Sequence, residues 1–268
     1  MRRELLDALD RISHGDFNVN LTAGGRGPMP DVIESVNQMA KQLGDLEQQR
    51  QDFISSVSHE IQSPLTSISG FAALLQDNDL PPDKRQHYLD VIQAEAERVS
   101  SLGDNLLRLS ALEEGATLVK RRYRLDEQLR GVILGLEPQW SAKKQQVELD
   151  AANVIIDADE DMLRQAWTNL VHNAIKYTPP GGTIRVHLSA AVDGKGSTCQ
   201  VSDTGIGIDG VDLPHIFERF YRADKSRAGG GNGLGLPLAR KIIELHGGVV
   251  SVTSQLGVGS VLTVRLPA

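Results

Sequence analysis

At 268 residues the chain has room for one large domain or two smaller ones with cores of their own, and its 4% aromatic content suits helix bundles or a sheet covered by helices. A net charge of −7 and a pI near 5.5 argue against nucleic acid as the main partner, because a phosphate backbone demands a basic surface. The single cysteine, Cys199, excludes an intrachain disulfide and any multi-cysteine metal site, and it is expected to be structural, on a strand. No apolar run reaches the length of a bilayer span and the N-terminus lacks a signal-peptide pattern, so the chain itself is expected to be soluble.

The first block, residues 1–47, opens with a short amphipathic helix carrying Leu5, Leu6, Leu9 and Ile12 and stopping at His14-Gly15-Asp16. A breaker-rich connector follows through Pro30, with Val19 and Leu21 placed to pack between helices, and Asp31 is the expected cap of the next helix. A connector of this length travels back along the helices it joins, so the two are expected to run parallel.

The second block, residues 48–115, continues the helix begun at Asp31 to about residue 76. Val32, Val36, Met39, Leu43, Leu46, Phe53 and Val57 recur at three-four spacing and predict a buried stripe. His59 lies off that stripe: its helical neighbours are Ser55, Ser56, Gln62 and Ser63, so the imidazole projects from a polar face beside Glu60. Pro64 withholds the amide that the carbonyl of Glu60 would have met, which predicts a bend beside the histidine. A solvated surface histidine has the same local features, so any chemistry at His59 turns on what lies downstream. After a breaker run at 77–83, a second helix carries Tyr88, Ile92, Val99, Leu102, Leu106, Leu109 and Leu112. One hairpin cannot cover both stripes. A parallel homodimer, pairing two hairpins into a four-helix bundle, is therefore expected.

The third block, residues 116–268, alternates helix and strand signals. The basic cluster at 120–124 reads as a solvated edge strand or domain contact. Helices are predicted over 125–141, 160–177 and 236–246, and strands over 183–189 and 198–203 around a turn at Asp193-Gly194, with two more strands around Gly257 and Gly259. Helices on one face of a mixed sheet make an α/β sandwich.

Four clusters in this block point at one ligand. Asn169, Asn173 and Lys176 share a helical face, with His172 and Tyr177 beside them; two amide oxygens and an ammonium suit a magnesium ion and a phosphate, although asparagines on an exposed helix are also ordinary. Asp203 ends a predicted strand and is followed by Gly205, Gly207 and Ile208: a carboxylate placed to accept from an exocyclic amine, on a backbone able to approach a base. Glycines 229–231 and Gly233-Leu234-Gly235-Leu236 run into a helix, a natural phosphate cradle. The stretch between, residues 214–222, reads as a lid with an apolar foot at Phe217 and Phe220, from which Arg222 or Lys225 would reach a terminal phosphate. Last, Ser260 follows a hairpin glycine pair; its hydroxyl is a candidate phosphate contact, and a plain tight turn explains the pair equally well.

In order and spacing the whole resembles a sensor histidine kinase of a two-component system. Ser58-His59-Glu60 through Leu65 is similar to its phosphoacceptor box, the four clusters to its asparagine and glycine boxes, and Phe217 and Phe220 to its phenylalanine box. The first block resembles a HAMP linker, though the usual proline before its first helix is missing. The resemblance implies three parts: a HAMP-like linker over 1–47, a dimerisation and phosphoacceptor hairpin over 48–115, and an ATP-binding α/β sandwich of the gyrase, chaperone and histidine-kinase type over 116–268. It implies ATP with Mg2+ on Asn173 and Asn169, adenine on Asp203 with Tyr177 packed against the base, and phosphates on Lys176 and the Gly233–Gly235 backbone. His59 is the implied phosphoacceptor, Glu60 its general base, and a receiver domain of a response regulator the partner. A parent protein in the membrane, with this chain on the cytoplasmic side, follows from the HAMP likeness.

Two departures stand out. Gln62 takes the place of the family's usual arginine, and Ser63 that of a threonine or asparagine that orients water for dephosphorylating the partner, which leaves phosphatase activity open. Ser260 replaces the more usual threonine. The competing reading is a gyrase- or chaperone-type ATPase that uses nucleotide only for conformational switching; it needs an acid to activate water, and Thr168 and His172 occupy the positions before the two asparagines.

Overall fold

Two compact units, Met1–Ser63 and Pro64–Ala268, make up the chain in the computed structural model, which describes residues 2–22, 29–191, 196–223 and 231–267. In the first unit, α1 (Arg2–Ser13) ends where Gly15 turns the chain, and Arg11 closes the corner by hydrogen bonding Asp16 through Nε at 2.8 Å. That guanidinium holds the Asp16 carboxyl below its ordinary range. Residues 17–21 then run antiparallel to α2 (Met29–Leu74), Phe17 lying beside Gly44 and Leu21 beside Asn37. Phe17 packs on Gly44, where a methyl group would come within 3.2 Å of the phenylalanine Cβ. Further along, Asn37 grips Leu21 twice: its Oδ1 accepts the Leu21 amide at 2.9 Å and its Nδ2 donates to the Leu21 carbonyl at 2.8 Å.

Helix α2 departs from expectation at its start and in which of its apolar residues are covered. It starts at Met29, so Asp31 lies inside the first turn rather than capping it, and its carbonyl accepts from Ser35 Oγ. The helix runs through Pro64 without a break. Within one chain the buried side chains are Ile33, Val36 and Ala40, whereas Val32, Met39 and Leu46 of the expected stripe remain exposed.

In the second unit, α2 ends in a turn gripped by Arg85, which donates to the carbonyls of Leu75 and Asp77, and α3 (Pro82–Glu113) returns from it. Leu102, Leu109 and Leu112 are buried, and α3 packs against α7 (Gly235–Leu245). Thus part of the α3 stripe is covered inside this unit, without a second chain.

The rest of the unit is the expected sandwich. β2 (Gln146–Ala151), β4 (Thr183–Ala190), β5 (Gly196–Asp203), β7 (Gly259–Pro267) and β6 (Val249–Gln255) form one mixed sheet in that order, parallel only between β2 and β4. Period-two alternation decides its faces. On β4, Ile184, Val186 and Leu188 are buried, while Arg185 and His187 on the opposite face pair with Glu148 at 2.8 Å and Asp150 at 2.9 Å. Trp167, Leu163 and Leu170 of α6 (Glu160–Tyr177) and Leu238, Ile242 and Ile243 of α7 are buried in the core. Cys199 on β5 is buried too, which pushes its thiol up to about 12 and leaves it inert.

A second small sheet pairs β1 (Arg121–Arg124) with β3 (Ile155–Ala158) antiparallel, so the basic cluster is an edge strand. Its charges are matched locally, Arg121 by Glu160 and Arg124 by Asp126 and Glu127. The single helix expected over 125–141 is two, α4 (Leu125–Gly135) and α5 (Glu137–Ala142). Pro138 has no amide for the carbonyl of Leu134, so the helix stops and restarts at Leu136. Strands β2 and β3 escape sequence reading because each shows only two or three alternating positions. The Asp193-Gly194 turn lies outside the described residues.

Asn37→Ala is expected to leave both Leu21 backbone groups without their partner and to lower the stability of the first unit by about 1–2 kcal/mol. Hydrogen exchange at the Leu21 amide measures this; unchanged protection would contradict the role given to Asn37.

Candidate functional site

Helix α6 carries the asparagine face, and buried polar contacts hold it at both ends. At its start Asp159 accepts the Met162 amide at 3.0 Å through Oδ1 and the Val119 amide at 2.9 Å through Oδ2. The Asp159 amide donates to His246 Nε2 at 3.1 Å, and His246 Nδ1 donates to the Ile242 carbonyl at 2.7 Å, which ties α7 to the same corner. At its end Lys143 Nζ donates to the carbonyls of Ile175 at 2.7 Å and Lys176 at 2.8 Å, and Gln145 Nε2 donates to those of Ile175 and Thr178. A cation on the last carbonyls answers the negative end of the helix dipole. Burial, followed by the charge of Lys176, holds the Lys143 ammonium below its ordinary pKa.

From this helix two side chains, those of Asn169 and Lys176, reach the glycine run. Asn169 faces Gly235, the first residue of α7, and its Nδ2 is a buried donor without a protein partner. Asn173 is one turn further on, half-buried. The Lys176 ammonium packs on Gly231, where any side chain would collide with it, and lies 4.7 Å over the Tyr177 ring. Partial desolvation, and then the charges of Lys176 and Lys143, lower the pKa of His172 from the ordinary imidazole value. At the helix start, Leu234 is wholly buried, so it offers only backbone; its amide meets Asn232 Oδ1 at 3.2 Å. Leu236 is half-buried. Gly233 joins the lid through its carbonyl, which accepts the Phe220 amide at 3.0 Å, and Phe220 adopts a left-handed φ of 62° there. Arg222 is half-buried at the end of this stretch, and Lys225 lies outside the described residues.

Asp203 forms a second centre at the end of β5. Its Oδ1 accepts the Gly205 amide at 2.8 Å and the Ser260 amide at 3.3 Å. Burial raises its pKa above the usual carboxylate value, outweighing those two amides. The loop is built by close approach. A side chain at Gly207 would run into the Gln255 carbonyl and one at Gly259 into that of Asp203, at φ values of 69° and 139° that L-residues avoid. The Ile206 amide meets the Tyr177 carbonyl at 3.2 Å, joining this loop to α6. Ile208 donates its amide to Ser254 Oγ at 2.8 Å. Ser260 therefore stands beside Asp203, with its hydroxyl 2.9 Å from Ser254 Oγ.

His59, Glu60 and Ser63 belong to the first unit: His59 and Ser63 are exposed and Glu60 is half-buried on α2. Sequence reading missed Lys143, Asp159, His246, Asn232 and Ser254. Asn232 lies inside the glycine run without being singled out there, while Lys143, Asp159 and His246 gain meaning only from partners distant in sequence; a serine six residues before Ser260 becomes meaningful only once β6 pairs with β7.

Residues 3–45 match the HAMP domain, 49–115 the His Kinase A (phospho-acceptor) domain, and 158–268 the Histidine kinase-, DNA gyrase B-, and HSP90-like ATPase family. The chain is 33% identical to the sensor histidine kinase YclK of Bacillus subtilis over 277 residues, covering 99% of this chain and 58% of YclK. It is 38% identical to the phosphate regulon sensor protein PhoR of Pseudomonas aeruginosa over 226 residues, 81% of this chain and 50% of PhoR. Among solved structures, full-length ShkA in complex with AMPPNP is similar with a TM-score of 0.61 and 28% identity, over 81% of this chain and 45% of that one. The chain thus spans about half the length of the curated relatives it matches. Among the described residues no helix is long and apolar enough to cross a membrane. With a signal-transmission linker, a phosphoacceptor hairpin and a nucleotide-type α/β sandwich in this order, the chain belongs to the sensor histidine kinases of two-component systems.

Proposed function

We propose that the chain is the kinase portion of a membrane receptor, an ATP-dependent protein-histidine kinase that phosphorylates itself on His59 and passes the phosphoryl group to an aspartate of a response regulator. Its parts are a linker over 1–47, a dimerisation and phosphoacceptor hairpin over 48–115 and an ATP-binding domain over 116–268. The observation that carries this reading is that α6, the glycine run before α7 and the Asp203 loop meet: Lys176 rests on Gly231, Asn169 faces Gly235, and Tyr177 joins the loop of Asp203. The AMPPNP bound by the relative ShkA supports a nucleotide there.

The base end is Asp203. With Oδ1 taken by two backbone amides, Oδ2 is left to accept from the exocyclic amine of adenine, and Tyr177 offers its ring face. Gly205, Gly207 and Ile208 keep the backbone close, and Ser260 steadies the carboxylate through its amide. Phosphates lie on Lys176, on the amides of Gly233 to Leu236 and on the positive end of α7, with Arg222 and Lys225 on the lid side and His172 at the rim. Asn169 and Asn173 fit a magnesium ion: they are neutral hard oxygen donors one turn apart, and such an ion keeps several waters and binds phosphate oxygens as well. When bound, it neutralises charge on the phosphates.

His59 reacts as the tautomer protonated on Nδ1. The lone pair of Nε2 forms the N–P bond to the γ-phosphorus as the bond to the bridging oxygen breaks, and that electron pair leaves with ADP. Glu60 takes the Nδ1 proton, which leaves a neutral phosphoramidate ring. Ser63, one turn beyond His59, is the position from which a hydroxyl would orient water for dephosphorylating the regulator. A parallel homodimer accounts for the exposed apolar residues Val32, Met39, Leu46, Ile54, Leu65 and Leu89 along α2 and α3.

His59→Gln is expected to abolish incorporation of label from γ-labelled ATP while ATP binding survives, and Asn173→Asp to cut the rate about 10- to 100-fold; label retained on the glutamine variant would end the assignment. Equilibrium sedimentation at micromolar concentration is expected to report a dimer, and a monomer alone would count against the bundle. Because burial raises the Asp203 pKa, the native state binds its proton more readily than the unfolded chain does, so this group's stability contribution falls as pH rises past the usual carboxylate range. Asp203→Asn is therefore expected to melt higher than the parent at pH 7, by a margin that shrinks as pH falls toward 4, while losing nucleotide affinity; a lower melting point at pH 7 would contradict this.

A further inference from the structure

Ser254 on β6 has no place in the nucleotide reading above, yet its hydroxyl is the meeting point of both loops around Asp203. It accepts the Ile208 amide at 2.8 Å, and it lies 2.9 Å from both the Gly259 carbonyl and the Ser260 hydroxyl. The β6–β7 register sets Ser254 directly across from Ser260, and β5–β7 pairing sets Ser260 across from Asp203. A hydroxyl has one proton to give and two lone pairs. All three are in demand here: one lone pair serves the Ile208 amide, and the proton and remaining lone pair serve Gly259 and Ser260. Beyond the β5–β7 pairing, the Ile208 segment and the hairpin bearing Ser260 are thus linked at one oxygen, half-buried.

We infer that Ser254 is a positioning residue for base recognition: it holds the Ser260 amide and the Ile208 backbone against Asp203 and so sets how strictly the site demands a purine with an exocyclic amine. The inference rests on the adenine role given to Asp203 and extends it. Ser254 does not touch the base. It acts through the Ser260 amide, which shares Asp203 Oδ1 with Gly205 and keeps the carboxylate from rotating. Without the hydroxyl, the hairpin keeps only the Gly257 amide bond to the Ile206 carbonyl as its hydrogen-bonded tie to that segment, Ser260 shifts, and the carboxylate aims less sharply at the amine. A purely structural serine would weaken all nucleotides alike. A positioning serine weakens most the nucleotide that uses the amine.

The test compares ATP with purine riboside triphosphate, which lacks the 6-amino group, by competition against a fluorescent nucleotide on the full chain. The parent is expected to prefer ATP. Ser254→Ala is expected to weaken ATP about three- to tenfold and purine riboside triphosphate far less, so that the preference shrinks. Ser254→Thr, which keeps the hydroxyl, is expected to restore it. Should the alanine variant fail to fold, Ser254→Cys carries the same expectation, since the near-isosteric thiol is a weak donor and acceptor. A preference unchanged in the alanine or cysteine variant, or equal weakening of both nucleotides, would overturn the role of Ser254 alone. A parent that binds both nucleotides equally would overturn the adenine role of Asp203 and this inference with it.

Discussion

A helix that turns a polar face outward while burying its other face needs its register fixed, and α6 obtains this from contacts at its two ends. Asp159 caps its first turn and at the same time holds Val119 of the preceding segment, while its own amide is held by His246 at the end of α7. Lys143 and Gln145 take the last carbonyls. Between these clamps Trp167, Leu163 and Leu170 bury the apolar face completely. Rotation of the helix by one residue would bring Asn169 and Asn173 into the core and expose tryptophan, a change that a close-packed interior resists.

The clamps also carry electrostatic consequences. The carbonyl end of α6 points toward Lys143 rather than toward a ligand, so the negative pole of its dipole is neutralised, while α7 presents its positive pole at Gly235. Burial and then the charge of Lys176 lower the affinity of Lys143 for protons, and partial desolvation followed by both ammonium groups lowers that of His172, so the asparagine face sits in a positive field. Asp203 has the opposite setting. It is a half-buried carboxylate with one oxygen occupied by backbone amides, and burial still raises its pKa.

The stretch over 214–222 links the glycine run to the end of α3. Phe220 takes a left-handed conformation so that its amide can meet Gly233, Phe217 stacks with the Arg240 guanidinium 5.6 Å from its ring centre, and Arg219 pairs with Glu113 at the end of α3. Strained backbone of this sort persists where surrounding structure over-determines it. The phenylalanine pair visible in the sequence as an apolar foot thus joins one residue to α7 and the other to the glycine run.

Much of the site was legible in the linear chain because its chemistry uses residues that have few other uses in series: asparagines spaced by a helical turn, an aspartate ending a strand, and glycines before a helix. Periodicity placed α6 and α7 almost to the residue and marked β4 and β5, since a helix or strand with one buried face repeats its apolar residues at a known interval. The long helix likewise showed His59 on a polar face. What tertiary structure alone decided were contacts between residues distant in sequence: Lys143 on α6, His246 on Asp159, Ser254 across from Ser260, and the placement of Ser260 beside Asp203. It also decided where the apolar stripes find cover, because Ile33, Val36 and Ala40 pack within one chain while Met39 and Leu46 do not. Spacing along a chain encodes which face a residue occupies, but a hydrogen bond between two strands depends on their register, and register is set only when the sheet closes.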